Sequence, residues 1–500
     1  MERDLRSSMA RGAVWMLLFK AVDRGIGLAS TLILARLLVP QDFGVVAMAT
    51  SFIAMLELLG AFGFDTALIQ RQGATTAHYD TAWTFNVIVA AAVGLLMIAA
   101  AIPIAAFFNQ PSLAPVIGLL ALGSVAQGFE NIGIVAFRKE MNFRKDFQFL
   151  AAKKLLTFPI TIVLALWLRN YWALVISILA GRFFGVWMSY RIHPYRPSFT
   201  LAGARDLLHF SKWLLLVNLL GFLDARLSDF IIGRVAGPRA LGLFNMSYEL
   251  ANMPGTELVA PINRAVYPAY ARIAGDRPAL QREYLYVMGM ICLLAVPAVA
   301  GIAATATLIV PVVLGPKWLE ATATLQLLAF FGITQVLQSN TYSVYLALGR
   351  ADLFARVKTL QVVTLGIALV ALTPAYGLTG AAVARLVTAA IMLPLALGVI
   401  LKTLQLSPAR LLGALWRPAA ASILLFVVVD AFSRAAPNGA STPALALRLL
   451  SAVALGVATY LLSVLILWLV AGRPEGAESS ALNAAQQAWR RLRNPDGERA

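Results

Sequence analysis

The chain has 500 residues, 60% of them hydrophobic and only 13% charged, with a mean hydropathy of +0.77. Those values exclude a soluble globular protein and place the chain among proteins that cross a bilayer many times. Its formal charge of +17 is read first as a topology signal and a means of holding anionic headgroups, ahead of nucleic-acid binding, because no soluble domain of useful size fits between the spans.

From the N-terminus, a charged lead from Met1 to Arg11 precedes an apolar run that is too long and too interrupted by charge for a cleavable signal peptide. That run, about 12–38, and the next, about 44–69, each exceed the ~20 residues that cross a bilayer as a helix. Between them lies Arg36-Leu37-Leu38-Val39-Pro40-Gln41-Asp42-Phe43-Gly44. Pro40 stops the first helix and Gly44 frees the backbone where the second is expected to start, giving a tight hairpin of two spans. The first span carries Lys20, Asp23 and Arg24 on one helix face, and Glu57 lies mid-span in the second. Charges at bilayer depth persist only where they face protein or a watery cavity, so this hairpin is expected to wall one.

Hydropathy windows of ~19 residues give further spans at about 82–107, 113–136, 149–168 and 171–191, completing a first set of six. A second set comes at about 210–234, 241–269, 285–310, 321–348, 355–373 and 378–401, then a pair at about 411–432 and 444–471. In the tail, Ser479 to Leu492 is expected as a surface helix with Trp489 at the interface, and Asn494 to Ala500 as disordered. The expected class is an all-α polytopic membrane protein of about 14 transmembrane helices. Its parts are two repeated six-helix bundles, 1–209 and 210–402, an additional helix pair, 403–472, and a cytoplasmic tail, 473–500.

The repeat rests on identities at one offset. Trp15, Arg36, Pro40, Gly44 and Met48 return 198 positions later as Trp213, Arg234, Pro238, Gly242 and Met246, while Lys20 falls on Asn218. Leu119, Leu120, Ala121 and Gln127 return at 208 as Leu327, Leu328, Ala329 and Gln335. Two similar halves with a substrate site at their interface are a common transporter design.

Assigning alternate loops to opposite sides puts 28 Lys and Arg on the side of the N-terminus and seven on the other, with six inside spans. By the positive-inside rule both termini are cytoplasmic. The basic loop around Arg138, Lys139, Arg144 and Lys145 is then a topology anchor. Cys292 lies alone in an apolar run, and His78, His193 and His209 sit near span ends without ligand spacing, so neither a disulfide framework nor a metal site is expected. Glycine-rich phosphate loops, HExxH and Gly-x-Ser-x-Gly are absent, and no enzyme or cofactor is expected.

The remaining chemistry lies in the intramembrane charges. Asp224, Arg226 and Asp229 lie on the seventh span, and the spacing of Glu249, Glu257 and Arg264 puts them on one face of the eighth. Glu130, Arg182, Arg385 and Asp430 interrupt others. Prolines and glycines such as Pro159, Pro254, Gly255, Pro261, Pro297 and Pro394 permit bending in the spans that hold them. A plain alternative is that the charges are buried ion pairs, for instance Lys20 with Asp23, but their density on spans one, two, seven and eight, which the repeat relates, favours a shared polar cavity between the halves. The candidates are Lys20, Arg24, Arg226 and Arg264 for binding substrate, and Asp23, Glu57, Asp224, Glu249 and Glu257 for ion coupling or pairing.

Three stretches are similar to the polysaccharide transporter branch of the MOP (multidrug, oligosaccharidyl-lipid, polysaccharide) flippase superfamily. They are Leu34 to Gly44 followed by Gly63-Phe64-Asp65-Thr66-Ala67-Leu68-Ile69-Gln70-Arg71; Leu241-Gly242-Leu243-Phe244-Asn245-Met246-Ser247 with Pro254 and Pro261 through Pro268; and Tyr376-Gly377-Leu378-Thr379-Gly380-Ala381-Ala382. The resemblance implies flipping or export of a lipid-linked polysaccharide precursor, typically on a polyprenyl pyrophosphate, across the bacterial inner membrane by alternating access. It implies a lipid-linked glycan and membrane lipids as partners, other polysaccharide-assembly proteins beside them, and no nucleic acid. Guanidinium and ammonium groups suit a pyrophosphate, and coupling to H+ or Na+ is left open. Two other functions are weighed: a multidrug or cation exporter of the same superfamily, which mid-span acids would suit, and a membrane glycosyltransferase, polymerase or ligase, which would need a larger external loop than this chain has.

Overall fold

A computed structural model describes residues 20, 22–59, 64, 68–69, 71, 73–140, 142–202, 204, 212–435, 441–483 and 486. Among the described residues there are fourteen principal helices and no strand. They are α1 (22–37), α2 (Pro40–Leu59), α3 (Thr76–Phe107), α4 (Leu113–Gly128), α5 (Phe143–Leu168) and α6 (Trp172–Ile192). The helical stretch Lys212–Pro254 is broken at Gly237, whose φ of 81° and ψ of 179° leave the helical region, into α7 (212–236) and α8 (238–254). Beyond α8 come a π turn, Gly255–Val259, and a helix, Ala260–Arg272. Next are α9 (Arg277–Ile309) and α10 (Ala321–Ala347). The stretch Ala351–Leu404 is broken at Gly377 (φ 56°, ψ −132°) into α11 (351–376) and α12 (378–404). Last come α13 (Pro408–Arg434) and α14 (Thr442–Val470).

Nine described helices are long and apolar enough to cross a membrane, and α4 with the stretch Ile132–Lys139, bent by 62°, makes a tenth. One of the nine, Asp352–Leu404, has 53 residues, roughly 80 Å of helix against a core of roughly 30 Å, so its break at Gly377 makes it two spans. The charged helices α1, α7 and α8 are not among the nine. The outer residues are apolar, as a lipid-facing surface requires: Ile102, Trp167 and Val470 are at least 76% exposed.

Several helix ends differ from those expected. Helix α2 starts at Pro40 instead of 44, because a proline in the first turn gives up an N–H that has no intrahelical partner anyway. Asp42 in that turn is buried and accepts from the Val39 and Tyr171 amides at 3.0 Å each, which pins the hairpin to the start of α6. Gly44 is therefore inside the helix. Helix α3 starts at Thr76 instead of 82, closed by a capping box between Thr75 and His78. Helix α5 starts at Phe143 instead of 149, where the Asn142 side chain accepts from the Lys145 amide. Lys153 and Lys154, counted with the basic side in the charge split although they fall within the span expected at 149–168, lie inside α5.

Contacts divide the chain into two compact units, Met1–Gly242 and Leu243–Ala500. In the first, α3 packs on α4, α5 on α6, and α4 on α6. Leu34, Leu38, Ala165 and Ala173 form one buried cluster, and Phe64, Leu68, Ala82, Trp83 and Ile132 another. In the second, Leu293, Ala300 and Leu308 of α9 pack with Ala421 and Leu425 of α13 and with Tyr460 of α14. The last two spans are thereby built into the core of that unit. The tail segment 477–483 is helical; Ala477 and Glu478, just ahead of the surface helix expected from Ser479, are buried, and Glu478 accepts from Arg417 Nε at 2.8 Å. Losing either partner of such a pair costs about 3–5 kcal/mol. Trp489 and 494–500 lie outside the described residues. The expected repeat bounds, 1–209 and 210–402, concern sequence similarity, a different division from these contact units.

Candidate functional site

The first unit gathers charged side chains from five helices. Glu57 on α2 receives Arg182 of α6, Nη2 to Oε1 at 3.0 Å. Ser124 of α4 donates to the same carboxylate oxygen at 3.1 Å and receives Arg182 Nη1. The pair forms because α4 is thin at that level: a Cβ on Gly123 would stand 3.0 Å from Arg182 Cδ. Glu57, Asn86, Ser124 and Gln127 line a cavity of about 290 Å³. Arg182 lines a second, of about 300 Å³, with Asp23, Lys153, Lys154, Thr157 and Ser177. Arg182 thus borders one cavity while holding the carboxylate that borders the other.

Helix α5 supplies the other cations. Lys154 Nζ is 2.9 Å from Asp23 Oδ1, and Lys153 Nζ is 3.9 Å from Glu130 Oε2. A third cluster ties α2 to α7: Ser51 Oγ donates to Asp229 Oδ2 at 2.5 Å, and Arg226 Nη1 donates to the same oxygen at 3.1 Å. Asp229 is 3% exposed, and those two donors satisfy a carboxylate that water does not reach.

The repeated turns meet each other. A Cβ on Gly44 would overlap the Pro238 carbonyl, and one on Gly242 would overlap the Pro40 carbonyl. The Pro-x3-Gly pattern therefore encodes a reciprocal backbone contact, each glycine accepting the other turn's proline.

The sequence candidates divide. Asp23, Glu57 and Arg226 enter the clusters above, although Asp23 meets Lys154 of α5 and not Lys20, its neighbour on α1. Lys20, Arg24 and Asp224 are half-buried on α1 and α7. In the second unit Glu249 and Arg264 are exposed and Glu257 is half-buried. The single face expected for those last three assumes an unbroken helix, but the π turn at Gly255–Val259 contains Glu257 and turns the helix beyond it, with Arg264, by about 100°. Asp430 pairs within α13 with Arg434 at 2.8 Å. Arg385, 2% exposed, lies against the rings of Phe244, Tyr248 and Phe331 at 6.0, 4.8 and 5.4 Å. Asp65 and His209 lie outside the described residues. Sequence reasoning missed Lys153, Lys154, Ser124 and Ser51. For the two lysines the signal was the span expected at about 149–168, which already holds them.

Chemically, these are carboxylates held by ammonium and guanidinium donors that a ligand anion can recruit. Among the described residues no three His, Cys, Asp or Glu are placed to hold a metal ion.

The chain is 27% identical over 361 residues to the lipopolysaccharide biosynthesis protein WzxC of Escherichia coli (strain K12), covering 70% of this chain and 72% of that protein. It is 27% identical over 300 residues to the teichuronic acid biosynthesis protein TuaB of Bacillus subtilis (strain 168), covering 58% of this chain and 61% of TuaB, less than two thirds of its length. It is 24% identical over 324 residues to the succinoglycan biosynthesis transport protein ExoT of Rhizobium meliloti (strain 1021), covering 64% and 66%. The fold is that of the lipid II flippase MurJ in an inward closed conformation, with a TM-score of 0.72 at 13% identity over 90% of this chain and 99% of that one. An inward-facing multidrug resistance MATE family transporter of the MOP superfamily matches at a TM-score of 0.55 and 17% identity, over 77% and 95%. Residues 33–323 match the model of one family. This multi-pass membrane protein belongs to the polysaccharide biosynthesis protein family.

Proposed function

We propose that the chain flips a lipid-linked polysaccharide precursor, carried on a polyprenyl pyrophosphate, across a bacterial inner membrane by alternating access, with both termini cytoplasmic. The observation that carries this is the cavity of about 300 Å³ in the first unit, where Lys153, Lys154 and Arg182 place three cations on α5 and α6, two helices long and apolar enough to cross a membrane. A pyrophosphate entering there competes with Asp23 and Glu57 for their partners, and the released carboxylates become the groups that can take up a coupling proton or cation. Lys20, Arg24 and Arg226 in the same unit, and Arg264 in the second, remain candidate ligands for the anion. The names of WzxC, TuaB and ExoT support the substrate class, and the higher TM-score to the lipid II flippase favours a glycolipid over a cationic drug.

The test is flipping of a fluorescent lipid-linked oligosaccharide in proteoliposomes, normalised to inserted protein. Lys154→Glu and Arg24→Glu are each expected to lower the rate at least tenfold, because like charges then meet in a medium that screens poorly. Arg24→Lys is expected to keep partial transport, since charge stays while the planar fork is lost. Wild-type rates from both glutamate variants would remove the anion role.

A further inference from the structure

Away from the intramembrane charges, the first unit has a cavity of about 500 Å³ among the span ends and loops near residues 71–80, 132–140 and 193–198. We propose that this cavity is a sugar-binding subsite, taking a glycan unit of the precursor on the side of the membrane where the N-terminus lies. The proposal rests on the transport function above for its ligand, and on the geometry of the cavity for its place.

The walls are held from behind. Asn131, fully buried, accepts from the Gly133 amide at 2.9 Å and donates to the Tyr195 carbonyl at 2.7 Å. Buried Asp80 accepts from the Ser198 amide at 2.8 Å, from its hydroxyl at 3.0 Å and from the Tyr195 hydroxyl. Tyr195 is therefore fixed at both ends, and burial and its bond to Asp80 push its hydroxyl far above the ordinary phenol range, which keeps it a donor. Gly133 lines the cavity without filling it, since a Cβ there would overlap the His193 ring and stand 2.9 Å from Tyr195 Cβ. Such a rigid back wall is what an ordered binding site needs.

The lining has the chemistry of a polyol partner. Tyr79 and Tyr195 meet edge to face, 5.9 Å apart, and Lys139 Nζ lies 5.9 Å from the Tyr79 ring centroid. Lys139 and Glu140 offer one charge of each sign, and Thr76 adds a hydroxyl. Burial lowers the His193 pKa below its ordinary 6.5, which favours the neutral ring; its Nδ1 accepts from the Tyr195 amide at 3.2 Å, so Nε2–H is left as a donor. A sugar presents hydroxyls that donate and accept, with C–H faces that pack on aromatic rings, and it matches this set. A bare phosphate would bring its charge to Glu140, and a wholly apolar ligand would strip water from Lys139 and Glu140 without replacing it. The volume lies within the range usual for small-ligand pockets.

The test uses the purified full-length chain and two soluble probes in parallel. One is the glycan released by mild acid from the lipid-linked precursors of the source bacterium, and the other is inorganic diphosphate. In calorimetry the wild type should bind the glycan saturably, and diphosphate should not displace it. Lys139→Gln with Glu140→Gln, both at the cavity rim, should weaken the glycan at least tenfold, and Ala136→Leu, which fills the cavity, should do the same by another route. No saturable glycan binding, equal affinity in all variants, or binding of diphosphate in place of the glycan would each overturn the subsite. Flipping of the lipid-linked glycan is measured on the same preparations. Wild-type flipping without glycan binding removes the subsite and leaves the transporter, whereas glycan binding lost in the variants, with no flipping by the wild type, removes the transporter and leaves the subsite.

Discussion

Glu57 shows how little of a membrane charge can be known from its own position. Its depth in α2 is legible from hydropathy, but its partners come from α4 and α6, 67 and 125 residues away. Spacing along one helix reports only neighbours at i+3 and i+4, which is why Lys20 suggested itself for Asp23 while the partner is Lys154. The Glu57–Arg182 pair makes a clean test, because structure and transport can be separated in one double-mutant cycle. Arg182→Glu leaves two carboxylates facing each other and should cut the yield of monodisperse protein severalfold. The exchange Glu57→Arg with Arg182→Glu restores opposite charges and should recover most of that yield. Transport per inserted molecule should stay below a tenth of wild type in the exchanged protein, since the cation has moved from the wall of one cavity to that of the other. An exchanged protein no better folded than the single variant would show that the pair does not form.

At the scale of elements, the repeat was visible as identities, whereas its physical meaning was not. Gly44 had the composition of a helix start, but the turn is already complete at Pro40, and the glycine is needed because a second backbone crosses it. A sequence shows that two segments are alike without showing that they touch. The same limit applies to helix ends, where Asn142 and the Thr75–His78 capping box overrule a hydropathy window that starts later. Because a backbone carbonyl cannot swing aside as a side chain can, Gly44→Ala and Gly242→Ala should each destabilise by about 1–3 kcal/mol, the usual cost of overpacking. Both open the same contact, so the double variant should lose less than the sum of the two. Thermal unfolding in detergent measures this, and an unchanged melting temperature in both single variants would mean the turns do not meet.

For the whole molecule, the helical class and the number of principal helices were legible from hydropathy, because a lipid-facing surface must be apolar wherever the chain crosses, although the charged helices α1, α7 and α8 are not apolar enough to stand among the nine described span candidates. The breaks at Gly237 and Gly377 fall in the gaps expected between the spans at 210–234 and 241–269 and at 355–373 and 378–401, whereas the π turn at Gly255–Val259 was not legible, since glycine and proline are ordinary in membrane helices and only backbone angles identify the few that interrupt one. Orientation rests on charge, and leaving Lys153 and Lys154, which lie inside α5, out of the 28 takes two residues from the basic side without reversing the asymmetry. Helix α13 offers a direct check. Its 27 residues span roughly 40 Å, more than the hydrocarbon core of about 30 Å, so its two ends must face opposite compartments. Ser407 precedes it, beside the basic residues Lys402 and Arg410, and Ser441 opens α14 beyond its other end; both are exposed. The native Cys292 is buried and should give little background. With a membrane-impermeant thiol reagent on intact spheroplasts, Ser441→Cys should label and Ser407→Cys should not, and permeabilisation should bring Ser407→Cys up to the same level. Labelling of Ser407→Cys alone before permeabilisation would invert the orientation, and equal labelling of both would mean that α13 does not cross the membrane.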